Sequence, residues 1–235
     1  MSSGPLFSDR ADAGEQLAQS LFTQVSQLKE AGMNALPIVY ALPRGGIPVA
    51  APVARQLGCP LDIVVAKKIS TPQNPELAIG AITSEGHVLW ARSRLFNKKH
   101  AHLETALSQA QEKAQAQLAQ LSVGRPTVNP QGALAILVDD GIATGMTIAA
   151  ATQAVKAHNP AQIWICAPVA PAGLATWLSQ WCDRQVMLET PEPFMSVSRF
   201  YANFPQVDTE EALAYLQQHN HPLATTSPHI SFEVS

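Results

Sequence analysis

Charge is scarce in this sequence. Of its 235 residues 14% are ionic, 15 basic against 18 acidic, and the formal net charge is -3. A protein that grips nucleic acid or an anionic membrane through a general basic surface needs a clear Lys/Arg surplus. Those partners are excluded, and any anion must be bound locally. No apolar run approaches the roughly 20 residues that cross a bilayer, and Met1 to Arg10 lacks a basic stretch followed by an apolar one. A soluble cytoplasmic protein is the expectation. The three cysteines, Cys59, Cys166 and Cys182, are odd in number, widely spaced and without a C-x-x-C pair, so each reads as a small core residue. The histidines show no metal-ligand spacing, and His219 and His221 fall in a polar, solvated tail. Internal repeats and low-complexity linkers are also missing.

What is present is apolar material, 46% of the chain, enough for a single large core. Leu17, Leu21, Val25 and Leu28 recur at helical spacing between Ser8, a candidate N-cap, and Gly32, a candidate C-cap. Two apolar runs, Pro37 to Leu42 and Leu61 to Ala66, flank a small-residue helix from Ile47 to Leu57. Strand, helix and strand in about thirty residues make the βαβ unit of a parallel sheet, whose buried strands read as continuous hydrophobic runs. Ser70 to Gly80, with Pro72, Asn74, Pro75 and Gly80, reads as a loop. A hairpin around Glu85-Gly86 follows, then a long helix from His102 to Leu121, which lies on a sheet rather than in a coiled coil. Further βα pairs follow: Ala133 to Val138 with Thr147 to His158, and Gln162 to Ala167 with Pro171 to Trp181. A strand from Gln185 to Glu189 and a short helix from Glu210 to Gln218, capped by Asp208 or Thr209, complete the pattern. The fold class is therefore α/β, with a mostly parallel central sheet flanked by helices. Residues 1–218 form one domain, and 219–235 a polar, loose tail.

The most informative stretch runs from Ala135 to Thr147. An apolar strand delivers Asp139 and Asp140 to its carboxyl end, where ligands of parallel sheets bind, and the chain turns through Gly141 and Gly145 into a helix. Carboxylates accept hydrogen bonds from vicinal sugar hydroxyls. Loop amides, the Thr144 and Thr147 hydroxyls and the helix N-terminus can hold a phosphate. One site would grip both ends of a ribose 5-phosphate. A strand end that merely caps the next helix needs less than two Asp followed by G-x-x-T-G-x-T. No Gly-Lys-Ser/Thr and no G-x-G-x-x-G is present, so neither a Walker loop nor a dinucleotide fingerprint is at hand. A second turn, Pro43-Arg44-Gly45-Gly46, follows the first strand. Its guanidinium fork and amides suit an anion, while an ordinary strand-to-helix turn is the alternative.

Val138 to Thr147 resembles, position by position, the phosphoribosyl pyrophosphate (PRPP) motif of the type I phosphoribosyltransferases. Leu42 to Gly46 and Asn74 to Ala81 resemble further segments of bacterial phosphoribosyltransferase-domain proteins, so the likeness spans roughly Phe7 to Leu216. It implies the type I fold, with a small hood built from about 1–34 and 190–218. It implies that Asp139 and Asp140 contact the ribose hydroxyls, and that Gly141, Ala143, Thr144, Gly145, Met146 and Thr147 bind the 5-phosphate. Pro43, Arg44, Gly45 and Gly46, with Lys67 and Lys68 at the end of the second strand, would hold pyrophosphate. Relatives usually carry Arg-Lys there, so Lys67 departs mildly and loses bidentate geometry.

The Ser70 to Gly80 loop corresponds to the family's mobile lid, which would keep water from an oxocarbenium-like centre. Glu76, its one ionisable side chain, is a candidate acid/base, with Lys68 and Arg44 as further catalytic candidates. Some purine enzymes of the fold place an Asp where Ala143 stands, and its absence here argues against a hypoxanthine- or guanine-type site. Phe194 either stacks on a base or belongs to the core, and Tyr201 and Phe204 pack the hood. The resemblance further implies Mg²⁺, held indirectly by Asp139 and Asp140 through ribose hydroxyls or water. It implies transfer of a 5-phosphoribosyl group to an unidentified base or amine with release of pyrophosphate, and, from the family's habit, a homodimer. A non-catalytic PRPP or nucleotide sensor is the competing function.

Overall fold

Helix α1, Arg10–Glu30, buries Leu17, Leu21 and Val25 on one face, as their spacing predicts. Its N-cap is Asp9 rather than Ser8. The Asp9 carboxylate accepts from the Asp12 amide at 2.9 Å, and the Asp12 carboxylate accepts from the Ser8 amide at 2.8 Å, a reciprocal cap. Strand β1, Pro37–Ala41, helix α2, Gly46–Leu57, and strand β2, Leu61–Ile63, follow as the expected βαβ unit. With β6, Leu134–Val138, β7, Gln162–Val169, and β8, Arg184–Glu189, they form a five-stranded sheet in the order β2-β1-β6-β7-β8. Every pairing in it is parallel. The fold class is α/β, as the continuous apolar runs require. The computed structural model describes residues 4–71, 74–91 and 100–224, and for residues 71, 74–77, 100–102 and 221–224 the backbone alone.

Two cores cover the two faces of this sheet. One joins Leu17, Leu21 and Val53 of α1 and α2 to Val39, Ile136 and Trp164. The other joins Tyr40, Leu137 and Ile165 to Ile148 and Val155 of helix α4, Met146–Lys156. Cys59 and Cys166 are buried, and Cys182 is half-buried. Burial pushes the Cys59 thiol up to about 12 and the Cys182 thiol to about 11, so both stay protonated packing residues.

The second sheet departs from expectation. The run from Leu61 to Ala66 is divided: β2 stops at Ile63, and the Val65 carbonyl accepts from the Ser84 amide of the other sheet. Strand β3, Ala66–Thr71, then begins, so Lys67 and Lys68 lie at the start of an antiparallel ribbon and not at the end of a parallel strand. Ser70 to Gly80, expected as a loop, instead belongs largely to β3 and to β4, Asn74–Thr83, which pair from Ala66↔Thr83 to Thr71↔Asn74. Register shifts around Ser70 absorb an irregularity there, and Pro75 stands near the first residue of β4, where a strand tolerates proline. Strand β5, Val88–Trp90, completes the expected hairpin around Glu85-Gly86.

Helix α3, His100–Leu121, packs Ala106 and Ala110 on Ile69, Ile79 and Ile82 of this ribbon, a helix on a sheet as expected. Between β7 and β8 the anticipated helix breaks into a 3-10 turn at Ala172–Leu174 and the four-residue α5, Ala175–Leu178, with Gly173 weakening its first turn. Helix α6, Thr209–Ala224, runs past the expected end at Gln218, and Asp208 caps it by accepting from the Glu211 amide. The supposed tail therefore begins as ordered helix. His219 Nε2 lies 2.8 Å from the Cys59 carbonyl, and Asn220 Nδ2 donates to the carbonyls of Leu61 and Gly124. Residues 225–235 of the predicted tail lie outside the described residues.

Candidate active site

Parallel pairing of β1 with β6 sets two strand-to-helix turns side by side at the carboxyl edge of the sheet. From β1 the chain passes through Leu42, Pro43, Arg44 and Gly45 into α2, with a cis peptide between Pro43 and Arg44. From β6 it passes through Asp139 to Gly145 into α4. The turns touch. A Cβ on Gly45 would sit 2.1 Å from Asp140 Oδ2, and one on Gly46 would sit 2.7 Å from the Val138 carbonyl oxygen and 3.1 Å from Asp139 Cα. Both glycines are thus used by contacts inside the protein. The Gly46 amide donates to the Leu42 carbonyl and the Ile47 amide to that of Arg44. The donors this turn still offers an anion are the amides of Arg44 and Gly45 and the half-buried guanidinium of Arg44, whose Nη1 donates to Thr209 Oγ1 at 3.1 Å.

Asp139 and Asp140 are half-buried and adjacent. Burial raises the Asp139 carboxyl above its ordinary range and the neighbouring charge of Asp140 adds to the rise; the Asp140 amide, Arg10 and Lys68 oppose it. Asp140 is raised by burial, and Arg10 opposes the rise most strongly. A half-buried carboxylate pair of this kind gains from any group that replaces lost water, such as sugar hydroxyls or a cation. After the pair, Ala143 and Thr144 are exposed, and Gly145 caps α4 at φ +74°. The first amides of α4 have no partner inside the helix, and its dipole favours an anion there. The positions predicted for ribose and 5-phosphate are therefore contiguous.

Arg10 is the residue that sequence reading missed. Its side chain lies between the Phe204–Pro205 segment and the pair: Nε donates to Asp140 Oδ2 at 2.8 Å, Nη1 donates to the Pro205 carbonyl at 2.6 Å, and the guanidinium carbon lies 3.7 Å from the Phe204 ring centroid. The Tyr201 hydroxyl donates to the Asp140 carbonyl at 2.6 Å. The Tyr201 ring lies 5.4 Å from that of Phe7 and 4.8 Å from that of Phe204, centroid to centroid. A signal was available: Arg10 stands on the buried stripe that continues through Ala13, Gly14 and Leu17, and a charge on an apolar face asks for a partner.

The other candidates divide. Lys68 is exposed, and its charge reaches Asp139. Lys67 is half-buried, and its ammonium is lowered by burial first and then by Arg44 and Lys113, so it belongs to a cation cluster that includes the unforeseen Lys113 of α3. Phe194 is half-buried and tilted against Phe200, 5.2 Å between centroids, among Phe7, Val169 and Tyr201. Glu76 lies in β4, and its side chain is outside the described residues.

A carboxylate pair, a helix N-terminus and an arginine turn thus meet at the carboxyl edge of a parallel α/β sheet. The chain belongs to the phosphoribosyl transferase domain family, whose profile matches residues 10–184. It is 37% identical over 221 residues to Rv0571c of Mycobacterium tuberculosis strain H37Rv, provisionally named a phosphoribosyl transferase; the same figures hold for MT0597 of strain CDC 1551. The match covers 91% of this chain and 47% of those proteins, so the chain spans about half the length of the curated relatives it matches. Among solved structures it is similar to TT1426 from Thermus thermophilus, at a TM-score of 0.72 and 32% identity over 91% of this chain and 98% of that one. Among the described residues no helix is long and apolar enough to cross a membrane.

Proposed function

We propose that this chain transfers the 5-phosphoribosyl group of PRPP to a nitrogen of a base or amine, with release of pyrophosphate. The observation that carries the reading is the contact between the two turns, which brings Arg44 and the Asp139/Asp140 pair to one edge of the sheet. Asp139 and Asp140 would accept from the ribose hydroxyls. The turn from Gly141 to Thr147 and the α4 N-terminus would hold the 5-phosphate. The Arg44 turn, with Lys68 and Lys67, would take the charge of the departing pyrophosphate. Arg10 keeps Asp140 oriented and favours its ionised form. With the anomeric carbon held between these anchors, the acceptor nitrogen attacks as the bond to pyrophosphate opens. Orientation and charge stabilisation supply the catalysis.

Mg²⁺ fits this donor set. No group of three or more His, Cys, Asp or Glu among the described residues forms a metal cage, and Mg²⁺ is commonly held by one or two carboxylates together with substrate oxygens. Asp139 and Asp140 would hold it through ribose hydroxyls or water, where it supplies neutralisation of pyrophosphate charge.

The test is calorimetry of PRPP with Mg²⁺, followed by pyrophosphate release across a panel of bases and amines. The double substitution Asp139→Asn/Asp140→Asn is expected to abolish binding, and unchanged affinity would overturn the site. Binding without pyrophosphate release from any acceptor would instead make the domain a PRPP sensor.

A further inference from the structure

The antiparallel ribbon parts its two lysines between different neighbours. Side chains alternate across a strand, so Lys67 and Lys68 leave β3 on opposite faces. Lys68 pairs across the ribbon with Ala81, which packs on Met146 and Ala150 of α4, so its face is the one turned to the start of that helix. Lys67 pairs with Ile82, and Ile82 packs with Ile69 on Ala106 and Ala110 of α3. The face of Lys67 is the one that α3 covers.

Helix α3 brings a further cation to that face. Ala106, Ala110 and Lys113 stand at i, i+4 and i+7, a single stripe of the helix. The two alanines meet isoleucines of the ribbon, and Lys113, one turn on, carries an exposed ammonium on a flexible four-carbon stem. Arg44 comes to the same place from the turn after β1, and its Nη1 donates to a neutral partner, Thr209 Oγ1 at the start of α6. Lys67 feels both: its ammonium is lowered by burial first, then by Arg44, then by Lys113.

No carboxylate answers these three charges. Among the described residues the ion pairs are Arg10–Asp140, Arg55–Glu15, Arg125–Asp62 and the two histidines beside Glu85, and none includes Arg44, Lys67 or Lys113. Glu112, the neighbour of Lys113 in the chain, accepts from the Ser108 hydroxyl instead. Three cations from three elements repel one another, and half-burial of Lys67 weakens the screening that would make this cheap. An anion relieves the repulsion. A single phosphate needs no more than the Arg44 fork and the amides beside it, whereas two linked phosphates have charge enough for all three cations.

We infer that Lys113 binds the pyrophosphate group, as the third cation of a site whose other two are Arg44 and Lys67, and that it makes this site select two linked phosphates over one. The inference deepens the proposed transfer reaction and rests on that reading for the identity of the leaving group.

Calorimetry on the full chain with Mg²⁺ present tests it, using pyrophosphate, inorganic phosphate and ribose 5-phosphate as separate probes. Lys113→Gln is expected to weaken pyrophosphate roughly tenfold, the loss of one charge-assisted contact, to weaken phosphate less, and to leave ribose 5-phosphate unchanged. Lys113→Arg, which keeps the charge, should lose less than Lys113→Gln. Lys29→Gln removes an exposed lysine from the last turn of α1 and should lose nothing. Without ligand, Lys113→Gln should match or exceed the native melting temperature because a repulsion is removed, so its loss of binding is not a loss of fold. Pyrophosphate affinity unchanged by Lys113→Gln, an equal loss for all three probes, or an equal loss in Lys29→Gln overturns the role of Lys113 and leaves the transfer reaction standing. Lys113-dependent binding of pyrophosphate by a chain that releases none from PRPP with any acceptor overturns the transfer reaction and keeps the site. A native chain that binds no pyrophosphate overturns both.

Discussion

The two turns at the carboxyl edge of the sheet are built alike and held differently. Each joins a buried parallel strand to a helix and each uses glycine at the junction. In the shorter turn Gly45 has φ -60° and ψ -33°, a conformation any residue adopts, so the demand there is for space. Its missing side chain leaves room for the Asp140 carboxylate, and that of Gly46 leaves room for the backbone of Val138 and Asp139. In the longer turn Gly145 has φ +74°, so the demand is for a conformation that side chains disfavour, made sharper by Trp177 at 2.5 Å from where a Cβ would stand. One turn is a wedge pressed against the other, and the other is a bend. Each glycine is thus required by the protein's own packing or backbone, whatever ligand the turns meet.

The largest effect that tests this distinction comes from Gly46→Ala set against Gly145→Ala. At Gly46 the added methyl meets backbone, which cannot rotate aside, and the two turns must part. We expect a loss of about 2–4 kcal/mol in denaturant unfolding, at the upper range of overpacking and strain costs, together with loss of PRPP binding. At Gly145 the cost is the left-handed conformation, about 1–2 kcal/mol, plus whatever Trp177 does not yield. Equal stability losses with equal binding losses would mean that the two glycines do the same task.

Arg10 sharpens the comparison next, since it reaches the longer turn from outside both. Arg10→Ala leaves Asp140 without its ion pair and the Pro205 carbonyl without its donor. PRPP affinity should fall roughly tenfold, as for a charge-assisted hydrogen bond. The acid limb of binding should also move to higher pH, because Arg10 opposes the rise of the Asp140 carboxyl and its removal lets that rise proceed. Arg10→Lys, which keeps the charge and loses the fork, should fall between. Tighter PRPP binding in Arg10→Ala would show that Arg10 competes with the ribose for Asp140 rather than orienting it.

The two turns also mark what could be read from the sequence. The α/β order was legible because parallel strands buried on both faces read as unbroken apolar runs, and Asp139-Asp140 with Gly141 to Thr147 is a compact local signature. The antiparallel ribbon was not. Asn74, Pro75 and Gly80 carry loop chemistry, and only pairing with β3 and cover from α3 make them strand. In the sequence Lys68 is preferred over Lys67 because Lys67 departs from the family's arginine, whereas in the structure the two differ because alternation along β3 half-buries Lys67 and exposes Lys68. Arg10 is separated from Asp140 by 130 positions, so no local pattern could pair them.

The smallest effect concerns the cost of the longer turn's charge. The Asp139 carboxyl is raised by burial and by Asp140, so the folded state holds its proton more tightly than the unfolded chain, whose carboxyl sits near about 3.9. Stability therefore falls as pH rises from the unfolded value through the raised one, and the penalty is complete above the raised value. Asp139→Asn removes the charge and can keep the acceptor for the Asp140 amide, 2.9 Å away in the native turn. In the absence of ligand its melting temperature should exceed that of the native protein by roughly 2–5 °C at pH 8, with the difference shrinking toward zero near pH 4. Gly46→Ala should show no such pH dependence, since its cost is steric. A melting temperature for Asp139→Asn that is lower at pH 8 than at pH 4, relative to the native protein, would mean that the carboxylate's hydrogen bond and its attraction to Arg10 and Lys68 outweigh its burial, and that the pair is settled in the free protein before any sugar arrives.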